Sequence, residues 1–93
     1  TESENLKIQL LTKYNALRSD IRKYEEGIDY YQTKGNKLAT ETIFHANKSY
    51  QNGEINFFQY TQLLENAKNI QSNYLHTLLQ YNVTVLEANY ILN

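Results

Sequence analysis

Apolar side chains recur along the first half of the chain at alternating spacings of four and three residues. This heptad spacing places them on one face of a helix, as in a coiled coil. Its length predicts one long helix, although Gly27 and Gly35 each cost about 1 kcal/mol relative to Ala. The close approach of a second helix and a kink explain Gly35 equally well. The first seam consists of Leu10, Tyr14, Leu17, Ile21, Tyr24, Ile28, Tyr31, Gly35 and Leu38.

Beyond Leu38 the apolar register moves by one position, to Ala39, Ile43, Ala46 and Tyr50. A shift of one residue rotates the buried face around the helix axis. The small side chains of Ala39 and Ala46 would let a neighbouring helix come near. The pattern therefore predicts a contact face that turns as the helix nears its end.

The second half of the chain carries a wider apolar arc. A helix with two apolar rows generally contacts more than one neighbour. We therefore expect the second helix to need a partner besides the first. Its seam consists of Leu64, Ala67, Gln71, Tyr74, Leu78, Tyr81, Val85, Ala88 and Leu92. Its flanking row consists of Leu63, Ile70, Leu75, Leu79, Leu86 and Tyr90.

Between the two patterns lies the strongest helix break in the chain. Asn52-Gly53 supplies the left-handed residue that commonly ends a helix. Asn56 and Gln59 are spaced as a capping box, and Ile55 stands before it at the position of a hydrophobic staple. The prediction is an all-α chain, a long antiparallel two-helix coiled-coil hairpin with helices over 3–51 and 56–92 and a turn at 52–55. Arms of this length would extend on the order of 70 and 55 Å.

Composition limits what such a hairpin can do. The formal net charge of −1 gives no electrostatic reason to expect nucleic acid as a partner. The chain has no cysteine, hence no disulfide framework and no thiolate metal site. No apolar run approaches the roughly 20 residues that span a bilayer as a helix. An elongated hairpin of 93 residues buries only part of its apolar surface, so we expect self-association in isolation as a four-helix bundle.

Candidate catalytic and metal-binding residues are sparse. His45 and His76 lie on different arms, outside any His-x-x-x-His or Glu-x-x-His spacing. Glu25, Glu26 and Asp29 stand among Arg and Lys on the face that the seam leaves outward, which is typical of a solvated mixed-charge surface. We expect no catalytic residue, no cofactor and no metal ion, and hence no enzyme.

The segment from Ala46 to Asn56 reads Ala-Asn-Lys-Ser-Tyr-Gln-Asn-Gly-Glu-Ile-Asn, and Tyr74-Leu75 and the run Leu79-Gln80-Tyr81-Asn82 follow it. These motifs resemble the C-terminal part of TolC-family outer-membrane efflux proteins, and their sequence is most similar to that of the heavy-metal branch. The resemblance extends from about Tyr30 to Leu92. It implies that the chain is a fragment of a longer protein.

The resemblance implies a periplasmic part of an outer-membrane protein, in which homotrimers build a tunnel from long helical hairpins. The turn of such a hairpin meets a periplasmic adaptor (membrane fusion) protein, and an inner-membrane RND pump supplies the energy. On this chain the resemblance carries a partner-binding tip of Tyr50, Asn52, Gly53, Glu54 and Asn56. Some relatives have a charged gate just past the turn, whereas Phe57, Phe58 and Gln59 stand here.

A second hypothesis is a small dimeric interaction protein with no transport role. Secreted WXG-type proteins are helical hairpins of about this length. They carry Trp-x-Gly at the turn, whereas this chain has no Trp. A plain connecting turn at Gly53 is also compatible with the sequence, because any good capping sequence would serve there.

Overall fold

A computed structural model describes residues 1–92 and shows two long antiparallel helical arms. The first arm comprises α1 (Glu2–Tyr30), a π-helical turn (Tyr31–Gly35) and α2 (Asn36–Gln51), which follow one another without a break. The second arm is α3 (Phe57–Leu92), which packs against both α1 and α2. The helical hairpin is thereby confirmed, and the part of the chain that the structure describes has no strand.

The first seam is buried over most of its length. Leu17 is the most buried residue of α1. Five other seam positions are half-buried, namely Tyr14, Ile21, Tyr24, Ile28 and Tyr31. Leu10 departs from the prediction and is 45% exposed. It lies level with the end of α3, beside Ile91 and Leu92, so the hairpin offers it little to pack against.

The predicted shift of register is real, but it lies earlier than the sequence indicated. The amide of Asn36 donates to the carbonyl of Tyr31, five residues back, which is the hydrogen bond of a π-helix. This turn accommodates one extra residue, so burial passes from Gly35 directly to Ala39. Leu38, which the heptad count placed on the seam, is 49% exposed. The first arm therefore keeps one direction, but its buried positions shift by one residue of the heptad inside the π-helical turn.

Gly35 is buried where the two arms come close together. A Cβ atom built on Gly35 would lie 2.8 Å from Cδ1 of Tyr31 and 3.6 Å from Cγ2 of Ile70. The Tyr31 ring packs in turn against Tyr74, with ring centroids 5.8 Å apart. The tight contact at Gly35 is therefore with Tyr31 of the same arm, whereas Ile70 of the other arm lies at an ordinary van der Waals distance. The π-helical turn beside it adds a local irregularity.

Small residues bring the arms together between the π-helical turn and the tip. Ala39 and Ala46 of α2 and Ala67 of α3 have no exposed surface. The prediction that Ala39 and Ala46 admit a close neighbour is thus confirmed, and α3 supplies that neighbour. Because alanine has no rotamer freedom to lose, these contacts carry no side-chain entropy cost.

The seam of α3 differs from the predicted one at several positions. Ile70 is half-buried and Gln71 exposed, and likewise Ile91 is half-buried and Leu92 exposed. Thr84, which the sequence analysis did not place on the seam, is buried and donates its hydroxyl to the carbonyl of Gln80. The observed seam keeps a regular alternation of three and four residues. It consists of Tyr60, Leu63, Ala67, Ile70, Tyr74, Thr77, Tyr81, Thr84, Ala88 and Ile91. The predicted seam positions Leu64, Leu78 and Val85 are half-buried beside it.

The predicted flanking row of α3 is not one row. Leu63 and Ile70 join the seam, whereas the remaining members stay exposed, and two of them, Leu86 and Tyr90, border a groove that Lys13 of α1 also lines. At 100° per residue these members lie roughly 160° around the helix from the seam beside them. We call these four residues, together with the exposed Val83 between them, the outer stripe. It consists of Leu75, Leu79, Val83, Leu86 and Tyr90.

The molecule is a rod. Its principal extents are 72 × 22 × 15 Å and its radius of gyration is 20.5 Å, against about 12 Å for a compact chain of this length. It exposes 7328 Å², whereas a compact monomer of its mass would expose roughly 5,600 Å². Among the described residues, no helix is long and apolar enough to cross a membrane. Residues 1–13 are exposed throughout, and the first of them lie beyond the end of α3, which Leu10 reaches beside Ile91 and Leu92.

Candidate functional site

The turn between the arms is fixed by backbone hydrogen bonds. Gly53 has a φ of 73°, the left-handed conformation that costs an L-residue about 1–2 kcal/mol. Its amide donates to the carbonyl of Tyr50 at 3.1 Å, and the amide of Glu54 donates to the carbonyl of Ser49 at 2.9 Å. This pair of bonds is a Schellman motif. The glycine therefore ends α2 as the sequence predicted.

The start of α3 is fixed by side chains. The amide of Gln59 donates to Oδ1 of Asn56 at 2.8 Å, and the amide of Asn56 donates to Oε1 of Gln59 at 3.0 Å. This reciprocal pair is the predicted capping box, and it satisfies two amides that the first turn of a helix leaves free. Asn56 therefore acts within the hairpin, and its side-chain oxygen is already engaged.

An aromatic cluster joins the two arms just behind the turn. The Tyr50 ring lies 4.6 Å from the Tyr60 ring and 6.1 Å from the Phe57 ring, measured between centroids. The Tyr60 hydroxyl donates to Oδ1 of Asn47 at 2.6 Å, across the hairpin. Contacts of this kind from both arms hold the last turn of α2 against the first turn of α3. The tip is thus a fixed shape.

Beyond this cluster the tip presents bare apolar surface. Phe57 is 64% exposed and Phe58 is 67% exposed. A Cβ atom on Gly53 would have no neighbour within 4 Å, so the turn itself faces open space. Exposed aromatic rings beside a well-ordered backbone are typical of protein-binding surfaces. The sequence analysis noted these two phenylalanines only as replacements for a charged gate and did not include them in the site.

The five predicted tip residues all lie in or beside the turn that connects the arms, but they differ in role. Asn52 and Glu54 are exposed and available to a partner. Gly53 and Asn56 shape the turn, and Tyr50 is partly covered by the cluster. The signal for Phe57 and Phe58 was their position: two consecutive aromatic residues just after an N-cap cannot both face the seam.

The other candidate groups stay apart. His45 and His76 are both exposed and lie on different arms. Among residues 1–92, no group of three or more His, Cys, Asp or Glu side chains is arranged to hold a metal ion. Glu25, Glu26 and Asp29 are exposed on α1. The tip is consequently the feature with the most definite geometry for recognition.

Comparison of the chain with protein-family models, with curated proteins and with solved structures found no match.

Proposed function

We propose that this hairpin is a segment of the periplasmic tunnel of an outer-membrane efflux channel in a tripartite export system, and that its tip docks a periplasmic adaptor protein. The observation that carries the proposal is the tip itself. An ordered turn at the end of a 72 Å rod exposes two phenylalanine rings to solvent. Together with the TolC-like motif around Gly53, this arrangement favours end-on contact with another protein.

The two faces of α3 support the tunnel part of the proposal. The seam contacts the first arm, and the outer stripe lies on nearly the opposite side of the helix. A helix in the wall of a tunnel has one neighbour on each side, so its two contact faces must lie far apart around its circumference. In a square four-helix bundle the two faces would be about a quarter turn apart.

In the proposed mechanism the hairpin is passive. Asn52, Glu54, Phe57 and Phe58 contact the adaptor, while Gly53 and Asn56 keep the tip in shape. The parent protein is a homotrimer in the outer membrane, and an inner-membrane RND pump supplies the energy. The residues of the motif favour heavy-metal cations as the exported substrate. These cations would pass along the tunnel without being ligated by this segment.

The proposal is tested by Phe58→Glu in the full-length protein that contains this hairpin. A charge at this exposed position should weaken capture of the adaptor at least tenfold and reduce export of metal cations, because it removes an apolar anchor and adds a desolvation cost. Channel abundance in the outer membrane should not change. The measurements are pull-down of the adaptor and metal accumulation in cells.

Phe44→Glu provides the matched control, since Phe44 is 62% exposed and lies on α2 away from the turn. It should leave both adaptor capture and export at the wild-type level. Wild-type behaviour of Phe58→Glu, or an equal loss in both variants, would contradict the proposed docking role.

The alternative function is a small dimeric interaction protein, in which a second hairpin would cover the outer stripe that the tunnel gives to a neighbouring helix. It requires pairing of two hairpins and no tip contact. It would be preferred over the tunnel if Phe58→Glu left adaptor capture and metal export unchanged, while substitutions in the outer stripe abolished the pairing of two hairpins.

A further inference from the structure

One side of α3 carries an unbroken series of uncharged polar side chains. From Gln62 to Gln80, every residue that directly precedes a seam residue is Asn, Gln or His. All of them are exposed except Gln80, which is half-buried. The positions that directly follow seam residues are mixed by contrast, with Lys68 among several leucines. We call the series the polar row. It consists of Gln62, Asn66, Asn69, Asn73, His76 and Gln80.

The polar row lies to one side of the contact between the arms. One step along an α-helix rotates a side chain by about 100°, so each member is turned by that angle, in the same sense, from the seam residue after it. The row extends over about 27 Å of the helix axis at 1.5 Å per residue. Beyond Gln80 the corresponding positions are Val83, Glu87 and Tyr90, so the polar row ends there.

We infer that the polar row faces the interior of the tunnel and forms the surface along which hydrated cations pass. This inference rests on the proposed function, in which α3 is a helix of the tunnel wall. The seam and the outer stripe make the two wall contacts, which leaves one side of α3 for the water inside and one for the outside. The polar row occupies one of these two sides, and charge and polarity decide between them.

The other side of α3 is unsuited to a cation passage. Lys68 is exposed there, and a homotrimer would place a ring of such ammonium groups around the passage, which repels cations. Leu64 and Leu78 lie on the same side, and apolar constrictions in a pore expel water. The polar row contains neither a charged nor an aliphatic side chain, so water and cations meet no barrier along it.

Neutral amides suit a passage through which ions must keep moving. The carbonyl oxygen of each amide accepts hydrogen bonds from the water around a hydrated cation, and the NH₂ group donates to water. Because the amides carry no net charge, they do not trap the cation, and conduction requires that an ion leave each position easily. His76 adds a single imidazole, short of the three or four ligands that hold a transition metal.

The inference is tested by the ion selectivity of the full-length protein that contains this hairpin, reconstituted in planar lipid bilayers. In the test variant, Asn69→Asp with Asn73→Asp, each change replaces an amide of the polar row by a carboxylate of the same shape. We expect the permeability ratio of K⁺ to Cl⁻ to rise about threefold or more, because rings of carboxylates in a pore favour cations. The measurement uses dilute KCl, since screening shortens the reach of a charge to about 10 Å at 0.1 M salt.

Gln71→Glu with Asn82→Asp provides the matched control. Both residues are exposed and directly follow seam residues, so the control adds the same number of carboxylates to the other side of α3. It should leave the permeability ratio at the wild-type level. Since every substituted side chain is exposed, both variants should reach wild-type abundance in the outer membrane.

An unchanged ratio in the test variant, or an equal or larger rise in the control, overturns the inference and leaves the proposed adaptor docking as it stands. A wild-type protein that forms no ion-conducting channel contradicts the proposed tunnel itself, and this inference with it. Adaptor capture by Phe58→Glu is measured separately, so the two failures are distinguishable.

Discussion

At Gly53 the hairpin depends on a single backbone conformation. The φ of 73° allows the amides of Gly53 and Glu54 to reach back to the last carbonyls of α2. A Cβ atom would meet no other group there, so the cost of a larger residue comes from the backbone alone. A substitution at Gly53 therefore measures the energetic cost of the backbone conformation without a contribution from side-chain packing.

Gly53→Val should therefore lower the free energy of unfolding by about 1–2 kcal/mol, because a β-branched residue is the least tolerant of a positive φ. Gly53→Asn should lower it by clearly less, since Asn tolerates the left-handed region. Urea unfolding followed by circular dichroism, at one fixed protein concentration, measures both. Equal stability of the Val variant and the wild type would contradict the Schellman geometry.

The residue scale also shows what local sequence could reveal. The helix end at Gly53 and the capping box at Asn56 were predicted because each depends on residues three or four positions apart. The exposure of Phe57 and Phe58 was not predicted, although two consecutive aromatic residues just after an N-cap cannot both face the seam. The sequence thus located the tip, and of its five predicted contact residues Gly53 and Asn56 also shape the turn.

At the scale of elements, the π-helical turn explains where heptad counting failed. The seam from Tyr14 to Tyr31 followed the count because each helix repeats its own geometry. The extra residue between Tyr31 and Ala39 was visible only as a shifted pattern, which the count placed after Leu38. In α3, Leu63 and Ile70 were grouped with the outer stripe because position along the chain does not show how a helix is rotated against its neighbour.

The two glycines of the first arm provide a matched pair. Gly35→Ala puts a methyl group 2.8 Å from the Tyr31 ring, which must move, and it should lower the free energy of unfolding by about 1–2 kcal/mol even after the gain in helix propensity. Gly27→Ala puts its methyl group 3.3 Å from the Thr77 methyl group of the other arm, a tight contact that offsets part of the propensity gain of about 1 kcal/mol, so its stability should stay close to that of the wild type. Thermal unfolding of both variants provides the comparison. The reverse order of stability would refute the expected clash between the new methyl group at position 35 and the Tyr31 ring.

The whole molecule is a rod whose two ends differ. At one end the arms are joined by the turn and by the contacts of Tyr50 and Tyr60. At the other end α1 projects past α3 with every residue from 1 to 13 exposed. The overall antiparallel arrangement was predictable from one strong break between two periodic stretches. The unequal ends could be predicted from the lengths of the two arms. The exposure of Leu10 could not, because it depends on the position of Leu92 at the end of α3.

Deletion of residues 1–9 should change the free energy of unfolding by less than about 0.5 kcal/mol, because every residue of this segment is exposed. Leu17→Ala should by contrast cost about 2 kcal/mol or more, since Leu17 is only 8% exposed. Chemical unfolding at a concentration where the chain is monomeric compares the two. A large loss of stability on deletion would show that the segment packs within its own chain.

Because of the π-helical turn, the heptad pattern of α2 does not have to continue the heptad pattern of α1. An unbroken α-helix would carry the extra residue forward as a rotation of about 100°, and Ala39, Ile43 and Ala46 would leave α3. The turn absorbs that rotation locally, so each half keeps a heptad pattern of its own. The tip half could accordingly be transplanted as a module into another antiparallel pair, with register to be matched only on its own side of the junction.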